Sequence, residues 1–472
     1  MIDYLERFFQ SMRPAFSRQA TLVWFVIVWV GFVARSDTLG VSSIIRALLL
    51  APITYPALLH FFHSTAWSVE GLMVCWWQWL AREDVAFRVE GRIVLLADHT
   101  KTPKDGRRMP AVTTLHPNSE TASKPAFFRG HPWGCVGLLV QAGEKFFATP
   151  LWANIQQGIG TVAPKQSFQL CLSTRIIDMA QQIAAVLGEE AYLVLDAFFA
   201  VGTVFRAAAQ SSPGAGQSIH ILTRAKKNIV AYQQPRPKKK RGRGRPRTYG
   251  RTLKLMTLFD RWPHKFKSTR VNVYQGREKV RYLTLDLLWR PTAGLLRFFL
   301  FETSRGRIIL MTSDLRLKPL TALQLYCRRV TIETMFDTLK NVMGAMGYHF
   351  WSKYLRPVSR RPSKNNTKRR VSSRPAKTQN TFDAIEKFVN LQLLTVGLLQ
   401  LLSRKFPLQI WSQARCWLRT VTSEIPSEFV TRTALAAVLR ANLFTFGKNW
   451  ITQIIIHKQD PTEHTRLFQK VG

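Results

Sequence analysis

Leu22 to Ala34 (LVWFVIVWVGFVA) is an unbroken apolar run of 13 residues. That is short of the roughly 20 that carry a helix across a bilayer, so the run predicts a helix buried in a protein core. A second apolar stretch, Ala47 to Phe62, contains Pro52 and Pro56, which kink or break a helix because proline lacks the amide donor and crowds the preceding turn. Both belong to a helical segment reaching about residue 85, with Arg18, Arg35 and Arg46 expected to face outward. Arg13 and Arg18 imitate the charged start of a signal peptide. Asp3 and Glu6 dilute that charge, however, and no clean small-x-small cleavage site follows.

From Glu90 the periodicity changes. Val89 to Asp98 (VEGRIVLLAD) and Ala191 to Asp196 (AYLVLD) are short β-branched and leucine runs that predict buried strands, each ending in a carboxylate. Gly134 to Gln141 and Lys145 to Trp152 form a hairpin pattern around Ala142-Gly143-Glu144. A polar segment, His99 to Pro132, precedes the hairpin and carries six lysines and arginines. Ser167 to Leu187 has helical spacing and stops at Gly188. A helical stretch to about Gln210 and a strand at Ile219 to Thr223 follow. This is a mixed α/β order that places Asp98 and Asp196 at the carboxyl ends of two strands. Three further strands, Arg281 to Trp289, Leu295 to Phe301 and Arg307 to Thr312, suggest a small antiparallel sheet inserted before the next helix. Thr381 to Leu402 is helical and apolar on nearly all sides, so it must be buried in the chain or in a partner.

Charge then narrows the class of partner. Among 472 residues, 68 lysines and arginines face 28 acids, a formal charge of +40. Such an excess opposes compaction unless a polyanion neutralises it. Nucleic acid is the leading candidate, an anionic membrane surface the second and a ribosomal or purely architectural role the third. Residues 197 to 259 contain no acid, while thirteen basic residues lie between Arg224 and Lys254. The densest part contains Arg241, Arg243, Arg245 and Arg247. Its Arg-Gly-Arg-Pro centre resembles an AT-hook, thin enough to enter the narrow minor groove of A·T tracts. The competing reading is a solvated loop making unspecific phosphate contacts. Lys353 to Lys377 adds ten basic residues and no acid, as a linker or a loop ordered by DNA. The cysteines at 75, 135, 171, 327 and 416 are never closer than 36 residues. That spacing supports neither a zinc knuckle nor a disulfide framework.

Leu317 to Lys340 concentrates the chemistry. After Pro319 it reads as one helix. At about 100° per residue from Tyr326, Arg329 falls near 300°, Glu333 near 340°, Lys340 near 320° and Asp337 near 20°. Burying such a stripe is expensive unless its charges meet partners. A solvent face with an Arg329/Glu333 pair is the plain alternative. Two strand-end aspartates and a helix glutamate converging on one point would repel one another unless divalent cations lay between them, and hard oxygen donors select Mg²⁺ or Mn²⁺.

Tyr326-x2-Arg329-x3-Glu333-x6-Lys340 resembles the Y-R-E-K signature of bacterial insertion-sequence DDE transposases, which have a ribonuclease-H-like fold. ADHTKTPKDGRRMP around Asp98, LVLDAFF around Asp196 and Thr312-Ser313-Asp314-Leu315 extend the resemblance over roughly residues 91 to 352. It implies an α/β ribonuclease-H-like catalytic domain at 89–352, a mixed sheet flanked by helices and interrupted by a basic β-rich insertion at about 226–315. A helical DNA-binding domain at 1–88, a basic linker at 353–380 and a helical C-terminal region at 381–472 would complete the chain. By the same resemblance Asp98, Asp196 and Glu333 would be catalytic and would hold Mg²⁺ or Mn²⁺, two ions in all. Tyr326, Arg329 and Lys340 would contact transposon-end DNA, and Arg241, Arg243, Arg245 and Arg247 would add DNA contacts. His99 would point to the opposite face of its strand, and Asp337 would stand outside the metal set. The implied activity is strand cleavage at transposon ends and transfer of the 3′-hydroxyl into target DNA. It would be carried out by a homodimer on double-stranded DNA in the cytoplasm of a prokaryotic cell, associated with the nucleoid and without stable membrane attachment. The rival classes are an inactive or domesticated DNA-binding protein and a membrane-associated basic protein.

Overall fold

The computed structural model describes residues 1–116, 127–156, 172–210, 219–235, 247–273, 276–357, 372–418, 421, 423–445 and 447–460. Two compact units emerge: Met1–Ala86 with His99–Gln169 and Glu333–Gly472, and Phe87–Asp98 with Leu170–Ile332.

The first unit is organised around helix Pro375–Lys405. Proline at its first turn costs no hydrogen bond, and the all-round apolar run expected from Thr381 to Leu402 lies in its middle. This helix is long and apolar enough to cross a membrane, yet 94% of its most apolar window is buried within the chain. Helices Gln19–Ala34, Tyr55–His63 and Glu428–Phe444 and strand Lys145–Ile155 pack against it. Buried polar groups call for partners, and Asn390 has them: its side chain accepts from the Ala153 amide at 3.0 Å and donates to the Ala153 carbonyl at 2.8 Å. The Trp76 and Trp77 indoles donate to the carbonyls of Pro150 and Leu151 at 2.9 and 3.0 Å, so a helical face is tied to the hairpin. That hairpin, Phe128–Ala142 with Lys145–Ile155, is longer than its sequence pattern suggested. It turns at Gly143, whose φ of +58° suits glycine.

Leu22–Ala34 is the buried helix expected, within Gln19–Ala34, and the proline-containing stretch divides into Ser42–Leu48, a short turn at Pro52–Thr54 and Tyr55–His63. Arg18 and Arg46 are exposed. Arg35 is not: it is 2% exposed. Its guanidinium donates to the carbonyls of Leu39 and Met343, to Ser43 Oγ and to Gln392 Oε1. Burial, with Arg432 close by, lowers its pKa to about 10. The outward expectation failed because two of the groups that compensate this charge, on Met343 and Gln392, come from more than 300 positions away.

The second unit contains a mixed sheet. Strands Arg92–Pro103, Ala191–Leu195 and Ile219–Arg224 run parallel where they pair. Helix Leu172–Leu187, ended by Gly188 at φ +71°, precedes the second of them, and Gly202–Ala209 lies before the third. Both helices pack on Ile219–Arg224, as Pro319–Arg328 packs on the second and third strands. Strands Gly276–Trp289, Gly294–Thr303 and Gly306–Thr312 are antiparallel, as expected. They do not form a sheet of their own: Gly306–Thr312 pairs with Ile219–Arg224, Thr312 against Leu222 and Leu310 against Arg224. Side-chain burial explains this. Phe298 to Phe301 and Leu310 and Met311 are fully buried, the pattern of strands covered on both faces rather than of a sheet exposed on one side.

Two more local expectations are corrected. The strand through Asp98 runs on to Pro103, so this aspartate lies within a strand rather than at its end. The helix from Pro319 is not continuous: it stops at Arg328 and resumes at Val330. At the break the Arg329 amide donates three residues back, to Tyr326, at 3.2 Å. A wide π turn then follows at Thr338–Val342. One tightened and one widened turn shift the helical phase, so an even 100° step does not describe Tyr326 to Lys340.

Candidate active site

In the second unit, the parallel register joins Leu96 to Val194 and Leu195 to Thr223. Carried one or two residues further, the same offsets put Asp98 beside Asp196 and Asp196 beside Arg224. One row across three strands thus reads Asp, Asp, Arg. Neighbouring strands lie about 4.8 Å apart, and each aspartate follows five buried residues, Ile93–Ala97 and Ala191–Leu195. The apolar runs anchor the strands and the polar residues begin where the sheet meets solvent.

Each carboxylate is held. Asp98 Oδ2 accepts from Arg329 Nη1 at 2.9 Å, with the two side chains 20% and 15% exposed. Asp196 caps the short turn Ala197–Phe199, its Oδ1 accepting from the Phe198 amide at 2.9 Å, while its carbonyl accepts from Thr223 Oγ1 at 2.5 Å. Tyr326 sits with them. Burial pushes its phenol above the ordinary value, against the pull of Arg329 and Arg224, and the Arg224 guanidinium hydrogen-bonds to it. Arg224 was not singled out in the sequence, although it directly follows the strand run ending at Thr223, as the aspartates end theirs.

Near the amino ends of these strands, a second polar cluster fixes their alignment. Arg92 Nε meets Glu190 Oε2 at 2.6 Å and Arg92 Nη1 meets Asp314 Oδ2 at 3.3 Å. The Tyr192 hydroxyl donates to Asp314 at 2.6 Å. Burial works to raise the Asp314 carboxyl, but Tyr192, the Arg316 amide and the charges of His220 and Arg92 bring it below its ordinary value.

The first unit holds the other expected residues. Glu333 is exposed on helix Val330–Asp337. Lys340, in the π turn, donates from Nζ to Thr100 Oγ1 at 2.5 Å. Burial lowers its pKa, opposed by Cys135 and Asp337. Asp337 is exposed and accepts from Asn341 Nδ2 at 2.6 Å. Asp98, Asp196, Arg329 and Tyr326 are therefore brought together in one unit, whereas Glu333 and Lys340 belong to the other. Among the described residues no three His, Cys, Asp or Glu side chains form a metal-ion set. The two aspartates nevertheless fit a divalent ion chemically, since carboxylates are hard oxygen donors. Arg241, Arg243 and Arg245 lie outside the described residues, and Arg247 is exposed.

Comparison with known proteins gives one family. Residues 173–350 match the family model of the transposase DDE domain, a span that includes Asp196, Arg224, Tyr326, Arg329, Glu333 and Lys340. No curated protein matches the chain.

Proposed function

We propose, on the match of residues 173–350 to the transposase DDE domain, that the chain is an insertion-sequence DDE transposase that cuts DNA strands at transposon ends and joins the freed 3′-hydroxyl to target DNA. The observation that supports the reading is the parallel register that reaches Leu96 opposite Val194, two residues before Asp98 and Asp196 respectively. The family uses divalent metal ions. We assign their binding here to Asp98, Asp196 and Glu333, with two Mg²⁺ or Mn²⁺ ions as the bound species. When bound, such ions activate the attacking hydroxyl and stabilise the leaving oxygen of a phosphodiester.

The chain's own groups supply the remainder. Asp98 and Asp196 are fixed before substrate arrives, one by Arg329 and one by the Phe198 amide, so little reorganisation is needed at the moment of reaction. Arg329 exchanges its carboxylate for a DNA phosphate, for which a planar guanidinium is suited. Tyr326 and Lys340 hold neighbouring phosphates. Arg224 keeps the phenol of Tyr326 in place and adds positive charge on the third strand of the row. The ribonuclease-H-like assignment of the core, with residues 226–315 as a β-rich insertion and helical regions at either end, belongs to the same proposal. So does a homodimer that holds two ends.

The test is strand cleavage of DNA carrying the sequences that flank this reading frame, with Mg²⁺ and with chelator. Cleavage confined to the frame's own ends and dependent on Mg²⁺ supports the proposal. A protein that binds those ends yet never cuts them, with either Mg²⁺ or Mn²⁺, contradicts it.

A further inference from the structure

Trp351 belongs to the first unit and is 63% exposed. Its neighbours are not: Phe350 is packed on Phe62 and Phe388, and Ser352, also buried, donates its amide to the Arg108 carbonyl at 3.0 Å. The backbone on both sides is thus clamped while the indole stands in solvent. Tryptophan, with a large apolar ring and a polar N–H edge, is enriched where a protein meets a partner.

Trp351 lines two clefts. One, of about 740 Å³, is lined by Trp351 with Arg18, His60, Lys353 and Lys377, with no acid among its described lining residues. The other, of about 540 Å³, is lined by Trp351 with Arg107, Arg108, His349 and Asp105. Tyr354 lines the first cleft as well, with Lys353 and Arg374 over its ring at 5.5 and 5.2 Å. The arrangement is a flat apolar ring shared by two clefts that each carry basic side chains. That is the chemistry of a nucleobase stacking platform beside a phosphate track. A wedge between two base steps uses the same parts.

We propose that Trp351 stacks against an unpaired or unstacked nucleobase of bound DNA, with the adjoining phosphates lying in the two basic clefts. The proposal rests on DNA being the partner but not on the carboxylates, because the ring uses none of them. It gives the protein a preference for duplex that is locally opened over duplex that is fully paired. An anionic membrane surface could also meet an indole flanked by cations. The distribution of basic side chains over two clefts that share the ring favours a nucleic-acid backbone.

The test compares a fully paired duplex with the same duplex carrying one unpaired 2-aminopurine, measuring affinity by anisotropy and stacking by 2-aminopurine quenching. Wild type should bind the opened duplex more tightly and quench its probe. Trp351→Ala should lose the quench and about tenfold or more of that affinity, while Trp351→Phe, which keeps a ring, should retain part of both. Arg18→Gln with Lys377→Gln should keep the quench but reduce the slope of log affinity against log salt by about 2. If Trp351→Ala quenches and binds like wild type, the proposal is overturned and the DNA reading stands. A wild type that binds neither duplex removes both. A wild type that shows no preference for opened duplex, but binds phosphatidylserine vesicles through Trp351, would assign the ring to lipid.

Discussion

Replacing Arg329 with glutamine should destabilise the protein and at the same time make it more responsive to divalent ions. The Asp98 carboxylate and the Arg329 guanidinium meet at 2.9 Å with 20% and 15% exposure. With charge centres about 4 Å apart and an effective dielectric near 20, their attraction is about 4 kcal/mol. Desolvation and side-chain ordering consume part of it, and about 2 kcal/mol is a reasonable net coupling for a charge-assisted bond that water still reaches. Without Arg329, Asp98 stands beside Asp196 with that opposing charge removed. Arg329→Gln should therefore lose about 2 kcal/mol in urea unfolding at pH 7, and a second change, Asp98→Asn, should recover most of it. Mg²⁺ should raise the melting temperature of Arg329→Gln more than that of wild type, since the cation no longer competes with a guanidinium for the carboxylate. Equal Mg²⁺ responses in the two proteins, together with additive single-variant losses, would refute the reasoning.

The Tyr192, Arg92 and Asp314 cluster makes stability fall in acid. A carboxyl whose folded pKa lies below its unfolded value of about 3.9 contributes stability above that pH and loses it as pH drops through the folded value. Asp314→Asn should cost about 2 kcal/mol at pH 7 and flatten the decline below pH 4 in thermal unfolding. Arg35→Met should cost about 3 kcal/mol or more, because the Met343 carbonyl and the Gln392 side chain lose their shared donor in the buried interior; an unchanged urea midpoint would refute that.

Much of this fold is written in local patterns. Leu22–Ala34, Ala191–Leu195 and the helix around Thr381–Leu402 each bury their own apolar run, so spacing and composition reveal them. Registers are not local. That Asp98, Asp196 and Arg224 share one row depends on offsets of 98 and 28 residues between strands, and no short window contains them. Arg35 reads as a surface charge for the same reason, since its acceptors at Met343 and Gln392 are distant in sequence. The break at Arg329 was hidden differently: no glycine or proline marks it, and the tight bond to Tyr326 appears only in the backbone. The signature residues are legible by their spacing alone, whereas the partners that hold them, Thr100 for Lys340 and Arg224 for Tyr326, are supplied by the tertiary structure.

The central claim is that Asp98, Asp196 and Glu333 serve metal-dependent DNA cleavage, and the signature segment offers its own control, because Glu333 and Asp337 are both exposed acids on one short helix. The direct measurement is Mg²⁺-dependent cleavage of end DNA by Glu333→Gln and Asp337→Asn beside Asp98→Asn and Asp196→Asn, with binding of the same DNA measured in parallel. The account predicts that Glu333→Gln and both aspartate variants bind DNA normally but lose cleavage by orders of magnitude, while Asp337→Asn cuts at a substantial fraction of the wild-type rate. Active Glu333→Gln beside inactive Asp337→Asn would contradict it and make Asp337 the third carboxylate.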